Sequence, residues 1–210
     1  MGLDHARRKY PASLAAGQAS LRHWWLPLLT CCCMALAEAG GDRVRIALRY
    51  ARSQIGDGEF WRLLSGHFVH LGWGHLFMNA AALMLVWALV GARMTLTNWL
   101  LSSAFIVAVI DAGFWWLQPQ LAWYVGLSGV LHGLLLAGLL VGWPSMRTET
   151  VLLCFLMALK LVYEQLLGPL PGSASAAGGA VVVDAHLYGA VGGLVAAAVV
   201  RTRAIRAASI

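Results

Sequence analysis

The chain has few charged residues. Only 11% of its 210 residues are charged, whereas 60% are hydrophobic and ten are tryptophan. A soluble domain of this size cannot easily bury so much apolar surface, so the composition predicts a polytopic membrane protein. Short connectors between the apolar runs leave no room for a separate soluble domain, and we therefore expect a single domain.

Signatures of metal, redox and nucleic-acid chemistry are also missing. The net charge is +6, but the basic residues flank apolar runs and form no groove with interleaved aromatics, so we expect no nucleic-acid partner. No H-E-x-x-H motif supports zinc chemistry at the histidines, and we expect no metal and no cofactor. The cysteines lack the spacing of a metal site or redox pair: Cys31, Cys32, Cys33 and Cys154.

Six apolar runs are each close to the roughly 20 residues that cross a bilayer. Within the bilayer the backbone must satisfy its own hydrogen bonds, so the runs should be helices. The pattern predicts an all-α polytopic membrane protein with a bundle of six transmembrane helices. The predicted spans are residues 24–40, 75–92, 96–117, 126–143, 150–168 and 185–201.

The distribution of basic residues predicts the orientation. An even number of spans places both termini on one side, and a cytoplasmic location for them puts nine basic residues inside and five outside. We therefore expect a cytoplasmic N-terminal arm at 1–23, a membrane domain at 24–203 and a cytoplasmic tail at 204–210. A cleavable signal peptide at the N-terminus is an alternative that leaves the remaining topology unchanged.

Three polar residues head spans that run in the same direction from the outer side. His75 opens the second span, Ser128 the fourth and His186 the sixth. Polar and ionisable groups at such depth are costly, so they are functional candidates by default. Small residues four apart, in pairs that let helices approach closely, predict that spans four and six touch: Gly129 with Gly133, and Gly189 with Gly193.

A serine and a histidine at one depth predict acyl transfer. Serine needs a base to take its proton, and the imidazole of His186 titrates near neutral pH. Asp184 is the only carboxylate that we place at a matching outer end, so a Ser128–His186 dyad is favoured over a triad. His75 and Asn79, four apart on one helical face, and the backbone N–H of Ser128 are the oxyanion candidates.

These motifs resemble the rhomboid family of intramembrane serine proteases. The resemblance implies a membrane-anchored protein substrate in the lipid bilayer, no cofactor, and a bacterial inner-membrane location with the active site opening to the periplasm. It is carried by Gly126-Leu127-Ser128-Gly129 as the nucleophile motif, Ala185-His186-Leu187-Tyr188-Gly189 as the base motif, His75 with Asn79, and Gly58-Glu59-Phe60-Trp61-Arg62 as a first-loop signature.

His132 departs from the commonest family pattern. Rhomboids often have an aromatic residue, frequently tyrosine, four positions after the serine, where this chain has His132. We expect His132 to support the dyad by stacking or positioning, with a role as second base ranked last. The form Gly126 to Gly133 resembles the rhombosortase subfamily, which implies substrates with a C-terminal Gly-Gly motif, a transmembrane helix and a basic tail.

Several alternatives stay open at this point. His132 and His186 could be axial ligands of a haem or metal in a bis-histidine membrane protein, or the chain could be an inactive rhomboid-like binding protein. Asp111 has no obvious partner, which would also suit a proton pathway in a transporter. Lys160 and Glu164 are expected to neutralise each other. The substrate-binding residues and the oligomeric state are unknown at this stage.

Overall fold

The computed structural model describes residues 24–208, so the arm predicted at 1–23 lies outside the described residues. Helices occupy all six predicted span positions, and two short strands pair between loops. The helices and strands in chain order are α1 (Trp25–Ala39), α2 (Gly41–Leu48), β1 (Tyr50–Ala51), α3 (Arg52–Gly56), α4 (Arg62–Ser65), α5 (Trp73–Val90), α6 (Leu96–Leu117), β2 (Trp123–Tyr124), α7 (Ser128–Val141), α8 (Arg147–Leu167), α9 (Ser173–Ala177) and α10 (Val183–Ala208).

Four of the helices are long and apolar enough to cross a membrane: α5, α6, α8 and α10. The other two, α1 and α7, are apolar but have only 15 and 14 residues. At 1.5 Å per residue α7 covers about 21 Å, less than the roughly 30 Å of a hydrocarbon core. Irregular backbone can precede such a helix inside a membrane protein only where protein surrounds it, and residues 124–127 are indeed buried.

The helix ends differ from the predicted spans at several places. Helix α8, at the fifth predicted span, begins at Arg147 rather than at 150, and α10 continues to Ala208 rather than ending near 201. The tail predicted from 204 onward is thus helical as far as it is described. Hydropathy marks the apolar core of a span, whereas the helix itself ends where backbone hydrogen bonding ends.

Helix α7 lies at the centre of the bundle and packs against α10, α6 and α5. The predicted contact between spans four and six is confirmed, because a Cβ added at Gly129 would lie 2.6 Å from the carbonyl oxygen of Ala185. A Cβ at Gly189 would overlap the carbonyl of Gly129, and one at Gly193 would overlap that of Gly133. Only glycine permits this backbone approach.

The first loop, between α1 and α5, is tied to the loop before α7. Strand β1 pairs with β2 in antiparallel register, Tyr50 opposite Tyr124. Arg52 donates to the carbonyls of Phe114 and Trp115 at 3.0 and 2.6 Å, and a cation at this place suits the negative C-terminal end of α6. The first loop therefore anchors the backbone that leads to Ser128.

Arg62 of the first-loop signature is buried within that loop. Its guanidinium donates to the Glu59 carboxylate at 2.6 Å and to the carbonyls of Ile46 and Arg49 at 2.9 and 3.0 Å. The neighbouring Trp61 is 54% exposed, as an aromatic residue at a membrane interface would be. Arg62 therefore holds the loop together while Trp61 faces outward.

Candidate active site

Ser128 is the first residue of α7 and follows a short buried segment without regular secondary structure at residues 125–127. Gly126 has φ +122°, a conformation that favours glycine, and a Cβ there would lie 2.9 Å from Cε1 of His75. The Gly126 N–H donates to the Gly66 carbonyl at 3.1 Å, and its carbonyl accepts from the Tyr124 hydroxyl at 2.7 Å. The positive φ and the lack of room for a Cβ explain why a glycine stands two positions before the serine, and the two backbone bonds hold it in place.

His186 lies in the first turn of α10 and is buried. The close packing of α7 on α10 brings its Nε2 within 3.0 Å of Ser128 Oγ. Its Nδ1 lies 2.9 Å from Oε2 of Glu164, and because a carboxylate only accepts, Nδ1 must donate. In that tautomer Nε2 carries a lone pair that can accept the Ser128 hydroxyl proton.

The contact of Glu164 with His186 was not predicted from the sequence. The carboxylate at His186 is Glu164 in the last turns of α8, whereas Asp184 accepts a hydrogen bond from Gln118 Nε2 at 2.7 Å. The expectation that Asp184 alone lies at a matching depth was therefore wrong. The signal was present in the sequence, because span five ends on the side of the bundle where spans four and six begin, and Glu164 is close to that end.

The ion pair expected between Lys160 and Glu164 is present. Lys160 Nζ lies 2.7 Å from Glu164 Oε2, the same oxygen that faces His186. Lys160 Nζ is also 3.4 Å from His186 Nδ1. The Glu164 carboxylate therefore makes two contacts, an ion pair with Lys160 within α8 and a hydrogen bond with His186 of α10.

His75 and Asn79 line the same cavity as Ser128 and His186. His75 Nδ1 accepts the Leu71 backbone N–H at 3.3 Å, so the proton of the neutral ring is on Nε2. Asn79 is buried, and its Nδ2 donates to the His75 carbonyl at 3.0 Å. Two polar groups of α5 thus point toward the cavity beside the serine.

His132 stacks on His186, with ring centroids 4.3 Å apart and planes inclined by 20°. Its Nδ1 donates to the Ser128 carbonyl at 2.7 Å. Two axial ligands of one haem iron point their nitrogens at each other across the metal, and stacked parallel rings do not. The geometry therefore speaks against the bis-histidine haem hypothesis.

Two small cavities meet at Ser128. One has a volume of about 220 Å³ and lies among α5, α7, α8 and α10; the other, about 250 Å³, lies beside the 120–125 segment. His75 and Ser128 line both, as do Ala177 and Val181 from the connector between α8 and α10. The connector, in which Gly172 and Gly178 flank α9 with positive φ, therefore covers the site.

Asp111 lies beside a histidine in the folded chain. Its Oδ1 lies 3.5 Å from Nε2 of His67, and both side chains are buried. His70 is also buried and packs edge-on against His75, with centroids 4.9 Å apart. Within residues 24–208, no three His, Cys, Asp or Glu side chains come together as a possible metal site.

A comparison with known families identifies one that matches most of this chain. The family model described as the Rhomboid domain matches residues 57–203, a stretch that includes the first-loop signature, Ser128 and His186. A comparison with curated proteins finds no match. The family match covers more than half of the chain, and the apolar helices fit a multi-pass membrane protein. The chain therefore belongs to the rhomboid family, whose members are intramembrane serine proteases that act on membrane-embedded substrates.

Proposed function

We propose that this chain is an active intramembrane serine endopeptidase in which Ser128 is the nucleophile and His186 the general base. The observation that carries the proposal is the 3.0 Å separation of Ser128 Oγ and His186 Nε2, in a cavity lined by further polar groups. A serine within hydrogen-bond reach of an imidazole that is itself oriented by a third group has the geometry of an activated nucleophile.

The reaction runs in two halves. Ser128 Oγ attacks the carbonyl carbon of the scissile peptide while its proton passes to Nε2 of His186. The tetrahedral intermediate collapses, the C–N bond breaks, and the imidazolium protonates the leaving amine. Water then attacks the acyl-enzyme with His186 again as base, which releases the acid product and restores Ser128.

The oxyanion of that intermediate needs donors, each worth on the order of 100-fold or more in rate. His75 Nε2–H is available because Nδ1 of that ring accepts a backbone N–H. The Ser128 amide lies in the first turn of α7, where backbone N–H groups have no intrahelical acceptor. One N–H of the Asn79 amide is used by the His75 carbonyl, which leaves the second for the substrate.

The substrate is proposed to be a membrane-anchored protein with a C-terminal Gly-Gly motif, an apolar helix and a basic tail. His132, four positions after Ser128, supports the rhombosortase subtype. The cavities beside Ser128, about 220 and 250 Å³, suit a backbone with small side chains better than one with bulky residues. The connector over the site must move aside for a peptide to reach Ser128.

The orientation follows the distribution of basic residues. We propose a bacterial inner-membrane protein with cytoplasmic termini, so that the N-terminal ends of α7 and α10 face the periplasm. Cleavage would then occur near the outer end of the substrate helix. Its basic tail would lie on the cytoplasmic side.

The test is co-expression with a protein that ends in a Gly-Gly motif, an apolar helix and a basic tail. Wild-type enzyme should yield a shortened product, and Ser128→Ala and His186→Ala should yield none while remaining folded. A matched substrate with Gly-Gly replaced by Leu-Leu should be cleaved poorly. Cleavage of both substrates alike would contradict the subtype, and intact substrate with wild-type enzyme would favour a binding-only rhomboid-like protein.

A further inference from the structure

The carboxylate of Glu164 is buried against the base of the proposed dyad. Glu164 is 3% exposed, and its Oε2 lies 2.9 Å from His186 Nδ1 and 2.7 Å from Lys160 Nζ. A buried carboxylate is costly unless it is paired and hydrogen-bonded. Both contacts of this oxygen are with groups that line the site, His186 and Lys160, whereas a carboxylate that serves only solubility would face solvent.

We propose that Glu164 is a positioning residue that acts through His186, fixing the tautomer and ring orientation in which Nε2 can accept the Ser128 proton. The proposal rests on the proposed function of Ser128 and His186. The site then consists of a nucleophile, a base and a buried acid that orients the base, rather than of a nucleophile and a base alone. The acid takes no proton in the reaction: the hydroxyl proton passes from Ser128 to His186 and then to the leaving amine.

The position of Lys160 makes the tautomer a real choice. Its ammonium group can only donate, and it lies 3.4 Å from His186 Nδ1. If it donated to Nδ1, the ring proton would be on Nε2, and the ring could not accept the proton of Ser128. The shorter contact from Glu164 favours the opposite tautomer, with Nδ1 as donor. Glu164 and Lys160, both in α8, therefore favour different tautomers of His186.

Glu164 also faces the charge that develops during attack. The other titratable groups around the imidazole are His75 from α5, His132 from α7 and Lys160 from α8, while Asp184 of α10 pairs with Gln118. Among the described residues, Glu164 is the carboxylate in hydrogen-bond contact with the ring. Without it an imidazolium would form beside an ammonium group.

Helix stabilisation does not account for Glu164. A lysine four residues before a glutamate is the weaker order of an i,i+4 pair, worth a few tenths of a kcal/mol. A surface position would serve that purpose without the cost of burial. The chain offers a matched control in Glu149, an exposed acid in the first turn of the same helix.

The test compares steady-state cleavage by Glu164→Gln, Lys160→Met with Glu164→Gln, Glu149→Gln and the wild type in detergent or vesicles. We expect Glu164→Gln to lower kcat by on the order of 10,000-fold, as loss of the acid does in serine triads, with KM within about 3-fold. The double variant should recover part of this loss, to about 100-fold below wild type, because no ammonium then favours the wrong tautomer. Glu149→Gln should match the wild type.

Two outcomes would overturn the inference. One is a kcat for Glu164→Gln within about 3-fold of wild type, and the other is a loss of kcat/KM that comes entirely from a rise in KM. If the single variant does not fold, the double variant decides, because it removes the buried carboxylate together with the ammonium group that pairs with it. A kcat of the double variant within about 3-fold of wild type overturns the inference. Ser128→Ala is run alongside. Retained cleavage there would overturn the proposed function itself, whereas its loss together with a fully active Glu164→Gln would overturn the role of Glu164 alone.

Discussion

Gly129 keeps the proposed nucleophile and base at hydrogen-bond distance, so Gly129→Ala should separate them. Gly129 follows Ser128, and Ala185 precedes His186; a Cβ on Gly129 would lie 2.6 Å from the Ala185 carbonyl oxygen, whereas ordinary contact begins near 3.4 Å. The helices must therefore move apart by about 0.8 Å, and both contacting atoms are backbone or next to it. Added to the 3.0 Å between Ser128 and His186, this exceeds the reach of a hydrogen bond.

A displacement of about 1 Å in a catalytic arrangement can cost on the order of 100-fold in rate. We therefore expect Gly129→Ala to lower kcat/KM about 100-fold, measured with a purified membrane-anchored substrate. The matched control is Gly56→Ala, where the added Cβ has its nearest neighbour at 4.0 Å. Near-normal cleavage by a folded Gly129→Ala protein would refute the reasoning that glycine contact sets the Ser128–His186 distance.

Three further predictions concern side chains around the site. Arg62→Lys should lower the free energy of unfolding by roughly 2 kcal/mol or more, measured by thermal unfolding in detergent, because an ammonium cannot reach the carboxylate and both carbonyls. His132→Phe should retain most activity, whereas His132→Ala should lose a further 2- to 10-fold or so in kcat/KM, because only the phenyl ring keeps the stack on His186. Burial and His75 lower the pKa of His70 from 6.5 to about 3. Between about pH 3 and pH 6.5, His70 is therefore protonated in the unfolded chain but neutral in the folded chain. The free energy of unfolding is highest above pH 6.5 and falls by about 1.4 kcal/mol per pH unit as the pH is lowered through this range. His70→Gln should flatten the decline of Tm between pH 7 and pH 4.

Each of these has a clear contrary result. An unchanged Tm in Arg62→Lys would mean that the three hydrogen bonds of the guanidinium do not hold the first loop. Equal losses in His132→Phe and His132→Ala would assign its effect to the hydrogen bond with the Ser128 carbonyl. An identical dependence of Tm on pH in His70→Gln would show that His70 is not held neutral by the fold.

The depth of the site was predictable from the sequence because membrane spans fix direction. Once the spans alternate across the bilayer, His75, Ser128 and His186 must begin helices on the same side, and the glycines of spans four and six indicate which helices touch. In the structure, Ser128 Oγ and His186 Nε2 are 3.0 Å apart. Hydropathy and the spacing of small residues predict these features because each pattern can be recognised within the sequence of one helix.

The partners of buried charges were not predictable in the same way. Lys160 and Glu164 form an i,i+4 pair, which accounts for both charges locally and hides the contact of Glu164 with His186. Asp111 seemed to lack a partner because His67 lies in a loop 44 positions earlier in the chain. Such pairs depend on how helices rotate against one another, and the packing that sets rotation is a property of several segments together.

The most direct measurement of the central claim is labelling by a fluorophosphonate probe, with the modified residue mapped by mass spectrometry. A serine activated by an imidazole at 3.0 Å should be modified at Ser128 in the wild-type protein. Labelling should be lost in Ser128→Ala and strongly reduced in folded His186→Ala. Labelling of Ser128 that is equally fast without His186, or no labelling of the folded wild-type protein, would contradict the account.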